Sequence, residues 1–189
     1  YIASNDISYN PALGTGQLQV RDIHYVTYEK RTAWEFCELL DKKFIELDVE
    51  QSSRDSLLEY MGGKLLAENI VKETYPQAIV EREKEFPTGI LCRNISIAIP
   101  HTTGEHVNEP KIAVSVLKNP VEFCMMGEPE QKVNASVIIM IAINNPDLQI
   151  DFLQRLVTLI ENHELLLNIK NAASIDEVYG LLGFLNEIK

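Results

Sequence analysis

The sequence has few cysteines, no long hydrophobic run and no secretory signal. Its three cysteines, Cys37, Cys92 and Cys124, are widely spaced and include no CxxC pair, which predicts buried reduced thiols and no metal site. The longest apolar run covers residues 135–143 and contains a serine, so it is far shorter than the roughly 18 residues of a membrane-spanning helix. We therefore expect a cytoplasmic protein that does not insert directly into a membrane.

Basic residues are also scarce, because 17 Lys and Arg stand against 28 Asp and Glu, for a net charge of -11. Nucleic acids and anionic membrane surfaces both require clustered positive charge, so the sequence predicts neither as a partner. A basic protein partner would suit the charge better, although the charge also fits a role in solubility alone. With 46% hydrophobic and 24% charged side chains in 189 residues, the composition indicates one globular domain with a sizeable core.

The stretch Asn94 to Thr103, NISIAIPHTT, is the most informative part of the chain. Isoleucines at positions 95, 97 and 99 alternate with small residues, which predicts a half-buried strand. Pro100 ends that strand, because proline cannot donate to a strand ladder, and it directs His101 into a loop. A histidine after a strand is by itself more often an ordinary hydrogen-bonding residue than a functional one.

Helix and strand patterns alternate on both sides of this stretch. Before it we predict a helix from Thr32, a strand over 44–49, a helix capped by Ser52 or Ser53, a helix opening at Thr74, and a turn over 87–89. After it we predict strands over 112–116, 121–123 and 133–143, the last buried on both faces, and helices from Asn145, over 165–169 and from Ser174. Two adjacent glycines, Gly62 and Gly63, weaken the expected continuity of the second helix. The pattern is typical of the α/β class.

Several motifs in this order carry a family resemblance. EREKEFPTGI (81–90), NISIAIPHTT, EHVNEPKIAVSVLKNPVEF (105–123) and MMGEPE (125–130) together resemble the enzyme IIA domains of the bacterial phosphoenolpyruvate-dependent sugar phosphotransferase system, in the galactitol-type branch of the fructose/mannitol family. The resemblance implies a mixed central sheet with helices packed on its faces, in a single domain. It also divides the chain into a phosphocarrier domain, 44–189, and an N-terminal extension, 1–43, which we interpret as a linker or arm with a docking helix.

The resemblance implies a function for His101. A neutral imidazole is a nucleophile, and its phosphoramidate stays reactive enough to pass the phosphoryl group onward. In this family the histidine takes the group from phospho-HPr and gives it to a cysteine of an enzyme IIB, in sugar or polyol uptake with galactitol-like substrates. No metal, nucleotide or other cofactor is implied. The alternative is a regulatory module of a sugar-responsive transcriptional regulator, phosphorylated on the same residue.

Four further residues are candidates for stabilising the phosphoryl group. Arg82 matches the arginine of the family's ERE segment, although without the resemblance it would be interpreted as a solvated helix charge among Glu81, Glu83 and Lys84. Gln149 stands where many relatives carry a second histidine, which is typical of the galactitol branch. Thr102, with its neighbour Thr103, offers a hydroxyl or an amide, or is a plain loop residue. His106 is a candidate for orienting His101, or a surface histidine.

Overall fold

A computed structural model describes residues 39–93 and 95–183, and five strands of this part of the chain form one mixed sheet. The strands are β1 (Leu40–Val49), β2 (Gly89–Leu91), β3 (Ser96–Ala98), β4 (Lys111–Met125) and β5 (Glu128–Ala142). Strands β4 and β5 form a long antiparallel hairpin, while β1 pairs in parallel with β4 and β3 in parallel with β5. Strand β2 pairs antiparallel with β3 and meets β4 at the single pair Gly89–Met125.

Five helices of the described residues cover the sheet on both faces. They are α1 (Arg54–Ala67), α2 (Tyr75–Glu85), α3 (Pro146–Glu161), α4 (His163–Asn171) and α5 (Ile175–Gly183). One hydrophobic cluster joins the sheet to α1 and α2, and a second joins it to the other three helices. The predicted α/β class and mixed sheet are therefore confirmed. Within the described residues, every helix is too short or too polar to cross a membrane.

Strand β5 lies between these two clusters, as its nearly continuous apolar sequence predicts. Ile139 and Ile141 pack into one cluster, whereas Ile138 and Met140 pack into the other. This alternation follows from the two-residue period of a strand, which sends successive side chains to opposite faces. Because all these side chains are buried, the prediction of a strand buried on both faces is confirmed.

The structure changes several predicted boundaries. The helix predicted from Thr32 lies mostly outside the described residues. Strand β1 begins at Leu40, which was predicted to belong to that helix and lies four residues before the predicted start of the strand. The two strands predicted over 112–116 and 121–123 are one strand, β4, with a register irregularity between Val116 and Val121 where Pro120 interrupts the ladder. The segment predicted as a turn over 87–89 leads directly into β2, which the sequence analysis missed.

Helix α1 runs without interruption through Gly62 and Gly63. A Cβ atom at Gly62 would lie 3.2 Å from the Cα of Pro76, at the start of α2. Glycine therefore lets the two helices approach closely, and this packing offsets the cost of about 1 kcal/mol that the residue imposes on a helix interior. The two glycines, which were expected to weaken the continuity of the helix, do not interrupt it.

Candidate active site

His101 lies just beyond the end of β3, in a segment held by strands on both sides. On one side, the Ile99 N–H donates to the Thr88 carbonyl over 3.3 Å. On the other, the Ile141 N–H donates to the Pro100 carbonyl over 2.9 Å, and His101 forms a parallel bridge with Ile141 of β5. The backbone on both sides of Pro100 is therefore fixed, which gives the histidine a defined position although it follows a strand end.

The His101 ring is half-buried, and its Nδ1 atom lies 2.9 Å from the Ile99 carbonyl oxygen. A carbonyl can only accept a hydrogen bond, so Nδ1 carries the proton and Nε2 carries the lone pair of the neutral ring. Burial lowers the pKa of His101 from its ordinary value, the positive charge of Arg82 acts in the same direction, and the bond to Ile99 opposes both. The ring is consequently neutral near pH 7, with a nucleophilic Nε2.

Arg82 lies in the last turn of α2, close enough for its charge to act on His101. Its guanidinium carbon is 3.6 Å from the centroid of the Phe86 ring, which fixes the plane of the side chain through a cation–π contact. The Nη1 atom is buried and has no hydrogen-bond partner among the described residues. A buried donor without a partner is rare in proteins, so this nitrogen is suited to an anionic ligand that completes the site.

Glu83, the neighbour of Arg82, is buried, with 1% of its surface exposed. Its Oε1 accepts the Thr88 N–H over 2.8 Å and its Oε2 accepts the Thr88 hydroxyl over 2.7 Å. Burial raises the pKa of this carboxyl, and the bonds from Thr88 oppose the shift. The sequence suggested that Glu83 is a solvated charge, but this residue lies four positions after the buried Ile79, on the same face of α2. This spacing of four residues from a buried isoleucine was the feature of the sequence that could have predicted a buried Glu83.

The loop after His101 is anchored at Gly104. A Cβ atom there would lie 2.8 Å from the Cα of Asn144 and 2.9 Å from its carbonyl oxygen, so glycine lets this loop touch the segment between β5 and α3. Thr102 is buried. The Thr103 hydroxyl donates to Glu105 Oε1 over 3.0 Å, which commits that hydroxyl to the loop itself.

His106 is engaged elsewhere in the same loop. Its Nδ1 lies 2.8 Å from the Thr74 hydroxyl, at the start of α2, and its Nε2 lies 3.6 Å from Glu105 Oε1. The Lys72 N–H donates to the His106 carbonyl over 2.9 Å. These contacts tie the loop to the start of α2 and give the His106 ring partners other than His101.

Gln149 lies in the first turn of α3, at the same end of the sheet as His101. Asn145 caps this helix, because its side-chain oxygen accepts the N–H groups of Asp147 and Leu148 over 2.9 and 3.3 Å. The Gln149 N–H donates to the Asn145 carbonyl over 3.0 Å, and the residue is half-buried. Since β5 ends one residue after Ile141, the bridge partner of His101, the segment that leads into α3 starts at the end of the sheet where the histidine lies.

Within the described residues, His, Cys, Asp and Glu side chains nowhere gather in a group of three suited to a metal ion. The candidate site instead brings together a neutral histidine and a stacked arginine with a buried free donor.

Comparisons with known proteins identify the family. Residues 38–183 match the family described as phosphoenolpyruvate-dependent sugar phosphotransferase system, EIIA 2. The chain belongs to this family. As an enzyme IIA component it is a phosphotransferase that works through a phosphohistidine, and it is a phosphocarrier related to galactitol and mannitol enzyme IIA proteins.

Relatives and solved structures agree with this membership. The galactitol-specific EIIA component of Escherichia coli K12 is 32% identical over 111 residues, which are 59% of this chain and 73% of that protein. The crystal structure of mannitol IIA from Escherichia coli superposes with a TM-score of 0.60 at 25% identity, covering 75% of this chain and 97% of that one. A complex of enzyme IIA and phosphorylated enzyme IIB for mannitol, also from Escherichia coli, contains a chain with a TM-score of 0.62 at 24% identity, covering 76% and 98%.

Two further similarities concern parts of the chain. The first 62 residues match the Type II restriction endonuclease HpaI family, and 40 residues are 68% identical to that enzyme from Haemophilus parainfluenzae, covering 21% of this chain and 16% of the enzyme. The transcriptional regulator ManR of Bacillus subtilis is 31% identical over 101 residues, which are 53% of this chain and 14% of the regulator.

Proposed function

We propose that His101 is the phosphorylated residue, accepting the phosphoryl group on Nε2 from phospho-HPr and passing it to a cysteine of an enzyme IIB. The hydrogen bond from Nδ1 to the Ile99 carbonyl carries this proposal, because it leaves Nε2 with the lone pair that attacks phosphorus. The lowered pKa of His101 supports it further, since a neutral ring is the reactive form near pH 7.

The transfer needs no oxidant and no external base. The Nε2 lone pair forms a bond to phosphorus while the phosphorus–nitrogen bond of phospho-HPr breaks, and that electron pair returns to the HPr histidine. The Nδ1 proton stays in its bond to Ile99 throughout, so the positive charge that develops on the His101 ring meets a carbonyl dipole. In the second transfer the cysteine thiolate of enzyme IIB takes the group, and His101 recovers its neutral form.

Arg82 stabilises the transferred group in this proposal. The transition state of phosphoryl transfer spreads negative charge over three equatorial oxygens, and a fixed guanidinium meets that charge without moving. The buried Nη1 donor and the stack on Phe86 support this role, because the donor is free and the plane is held. No role for the neighbouring Lys84 follows, since its ammonium pairs with Asp55 over 3.0 Å.

Three other residues complete the proposed site. Gln149, in the first turn of α3, hydrogen-bonds to the phosphoryl group or to the His101 ring without titrating. Thr102 follows the histidine directly and supplies a donor to the phosphoryl oxygens. His106 contributes by fixing the loop through Thr74, which places the residues after His101.

The partners and setting are also part of the proposal. The complex of a structurally similar enzyme IIA with phosphorylated enzyme IIB supports an enzyme IIB acceptor, and the galactitol-specific relative supports a galactitol-like polyol as the transported substrate. We place the protein in the cytoplasm, where HPr would meet it. In this proposal the N-terminal extension, 1–43, lies outside the carrier domain. Its last four residues, 40–43, are the exception, because they already belong to β1.

Incubation with phosphoenolpyruvate, enzyme I and HPr tests the proposal. The wild-type chain is expected to gain one acid-labile phosphate, and His101→Ala is expected to gain none while keeping its fold. His163→Gln is a matched control, because it removes another half-buried histidine of the domain and should leave labelling intact. Labelling of His101→Ala at His24, His106 or His163 would show that another histidine is the acceptor.

A second candidate function is regulation, with the domain reporting sugar flux as part of a transcriptional regulator. The similarity to ManR favours this alternative. The two functions differ in the second transfer. A transport component passes its phosphate to a galactitol-type enzyme IIB within seconds of mixing, whereas a regulatory module accepts phosphate from phospho-HPr and retains it in the presence of that enzyme IIB.

A further inference from the structure

The pair formed by Thr88 and Ile99 is an incomplete rung of an antiparallel ladder. It directly extends the β2–β3 pairing, in which Gly89 opposes Ala98. In such a hydrogen-bonded pair, each residue normally donates its N–H to the carbonyl of the other. Here the Ile99 N–H donates to the Thr88 carbonyl over 3.3 Å, but the Thr88 N–H does not return the bond.

The Thr88 N–H donates instead to Oε1 of Glu83, over 2.8 Å. The second carboxylate oxygen accepts the Thr88 hydroxyl over 2.7 Å, so the buried Glu83 side chain takes both donors of one residue. The Ile99 carbonyl is thereby released from the ladder, and it accepts Nδ1 of His101 over 2.9 Å. Because one carboxylate in α2 accepts the Thr88 N–H, the Ile99 carbonyl does not have to share its hydrogen bond from His101 with that donor.

We propose that Glu83 is a positioning residue for phosphoryl transfer, which selects the Nδ1–H tautomer of His101 by withdrawing the Thr88 N–H from the Ile99 carbonyl. This inference rests on the proposed function of His101. The hydrogen bonds of the Glu83 carboxylate come from Thr88 and not from His101. Its effect passes through two backbone groups, the Thr88 amide and the Ile99 carbonyl.

Loss of the carboxylate has a specific consequence. With no acceptor in α2, the Thr88 N–H is a buried donor without a partner, and such a donor is costly to leave unsatisfied. The Ile99 carbonyl is the acceptor that standard ladder geometry offers it. The Thr88 N–H and His101 Nδ1–H then share one carbonyl oxygen, and sharing weakens the bond from Nδ1. The ring therefore populates the other tautomer more, in which Nε2 carries the proton and cannot attack phosphorus.

Three variants separate this role from a general effect on stability. Glu83→Met removes both acceptors while keeping an unbranched side chain of similar length that suits a helix. Glu83→Gln keeps one carbonyl oxygen for the Thr88 N–H, so it is expected to rescue the tautomer. Glu85→Gln is the matched control, because Glu85 is an exposed acid at the end of the same helix.

The first measurement is the ¹⁵N shifts of the two His101 ring nitrogens in the unphosphorylated full chain at pH 8. The wild type, Glu83→Gln and Glu85→Gln should show a protonated Nδ1 and an unprotonated Nε2. Glu83→Met should show averaged shifts, which report a mixture of tautomers. Wild-type shifts in folded Glu83→Met would overturn the inference. If Glu83→Met does not fold, the Gln variant decides, because averaged shifts there would contradict the rescue.

The second measurement is the rate of phosphoryl acceptance as a function of phospho-HPr concentration, at equal folded concentration. We expect kcat of Glu83→Met to fall about fivefold, the population change that follows from losing one ordinary hydrogen bond, with KM unchanged. A purely structural role would lower the folded fraction and leave kcat of the folded protein intact. If the wild type itself accepts no phosphate, the proposed function fails, whereas wild-type transfer with an unchanged Glu83→Met variant overturns only this inference.

Discussion

Replacing Arg82 by alanine is expected to slow phosphoryl transfer to His101 by about a hundredfold. The size of this effect depends on where the guanidinium lies. An exposed charge contributes less than about 1 kcal/mol to a neighbouring ion pair, or less than about fivefold in rate. A preorganised donor aimed at developing charge contributes about 3 kcal/mol. The buried Nη1 atom and the stack on Phe86 support the second case, on which our expectation for Arg82 rests.

Two further variants identify which property of Arg82 matters. Arg82→Lys keeps the charge but loses the planar fork, so it should recover only part of the rate. Lys84→Ala is the control, because it removes one positive charge from the same helix, where Lys84 is exposed and paired with Asp55. Its rate should stay within about twofold of wild type, since surface pairs contribute little.

The assay is single-turnover transfer from phospho-HPr under conditions where the concentration of each folded variant is known. Transfer at the wild-type rate by Arg82→Ala would refute the argument and return Arg82 to the role of a helix charge. Equal slowing by Lys84→Ala would also refute it, because the effect would then reflect the long-range attraction of HPr and not a contact with the phosphoryl group.

Three further outcomes are expected. Gln149→Ala should slow transfer modestly and Gln149→His should be tolerated, so a wild-type rate in the alanine variant would make the position a plain helix start. Gly104→Ala should lower the free energy of unfolding by about 2 kcal/mol in chemical denaturation, because its Cβ would meet the Asn144 backbone at 2.8 Å. Since burial and the Arg82 charge lower the pKa of His101 from 6.5, the acceptance rate should stay level from pH 8 to 6.5 and fall only at lower pH. In an NMR titration, Arg82→Gln should raise that pKa, and an unchanged value would contradict the electrostatic contact.

The strand patterns of the sequence predicted the central part of the fold. The alternating isoleucines and Pro100 predicted that a strand ends immediately before His101, and the apolar run after Val133 predicted a strand buried on both faces. The second prediction is confirmed, because side-chain alternation is a local property of a strand. The first is confirmed in that a strand precedes His101, but β3 covers only Ser96–Ala98 and is buried on both faces, so the expectation of a half-buried strand is wrong. The cap at Asn145 was equally readable, since capping involves only residues adjacent in the chain.

Elements that depend on distant partners were not readable in this way. Pro120 suggested a break between two strands, but pairing with β5 on both sides of the irregularity keeps β4 continuous. Strand β2 is too short to show a pattern of its own, and it exists because β3 lies beside it. Glu83 looked like a solvated charge because its partner, Thr88, becomes available only when the chain turns after α2.

The sequence by itself determined the family and the class of fold, and it suggested His101 as the carrier that we propose, because each of these depends on short stretches of neighbouring residues. The tertiary structure alone decided the state of that histidine. The proposed tautomer depends on the Ile99 carbonyl, which Glu83 releases from the ladder. The pKa of His101 is lowered by burial and by Arg82. The free donor, Nη1 of Arg82, lies on a helix and not on the strand that precedes His101. The hydrogen bonds involved join residues that are near one another in the chain, but each bond needs a turn or a strand pair to form first. The burial of His101 and the effect of Arg82 likewise arise only in the folded chain.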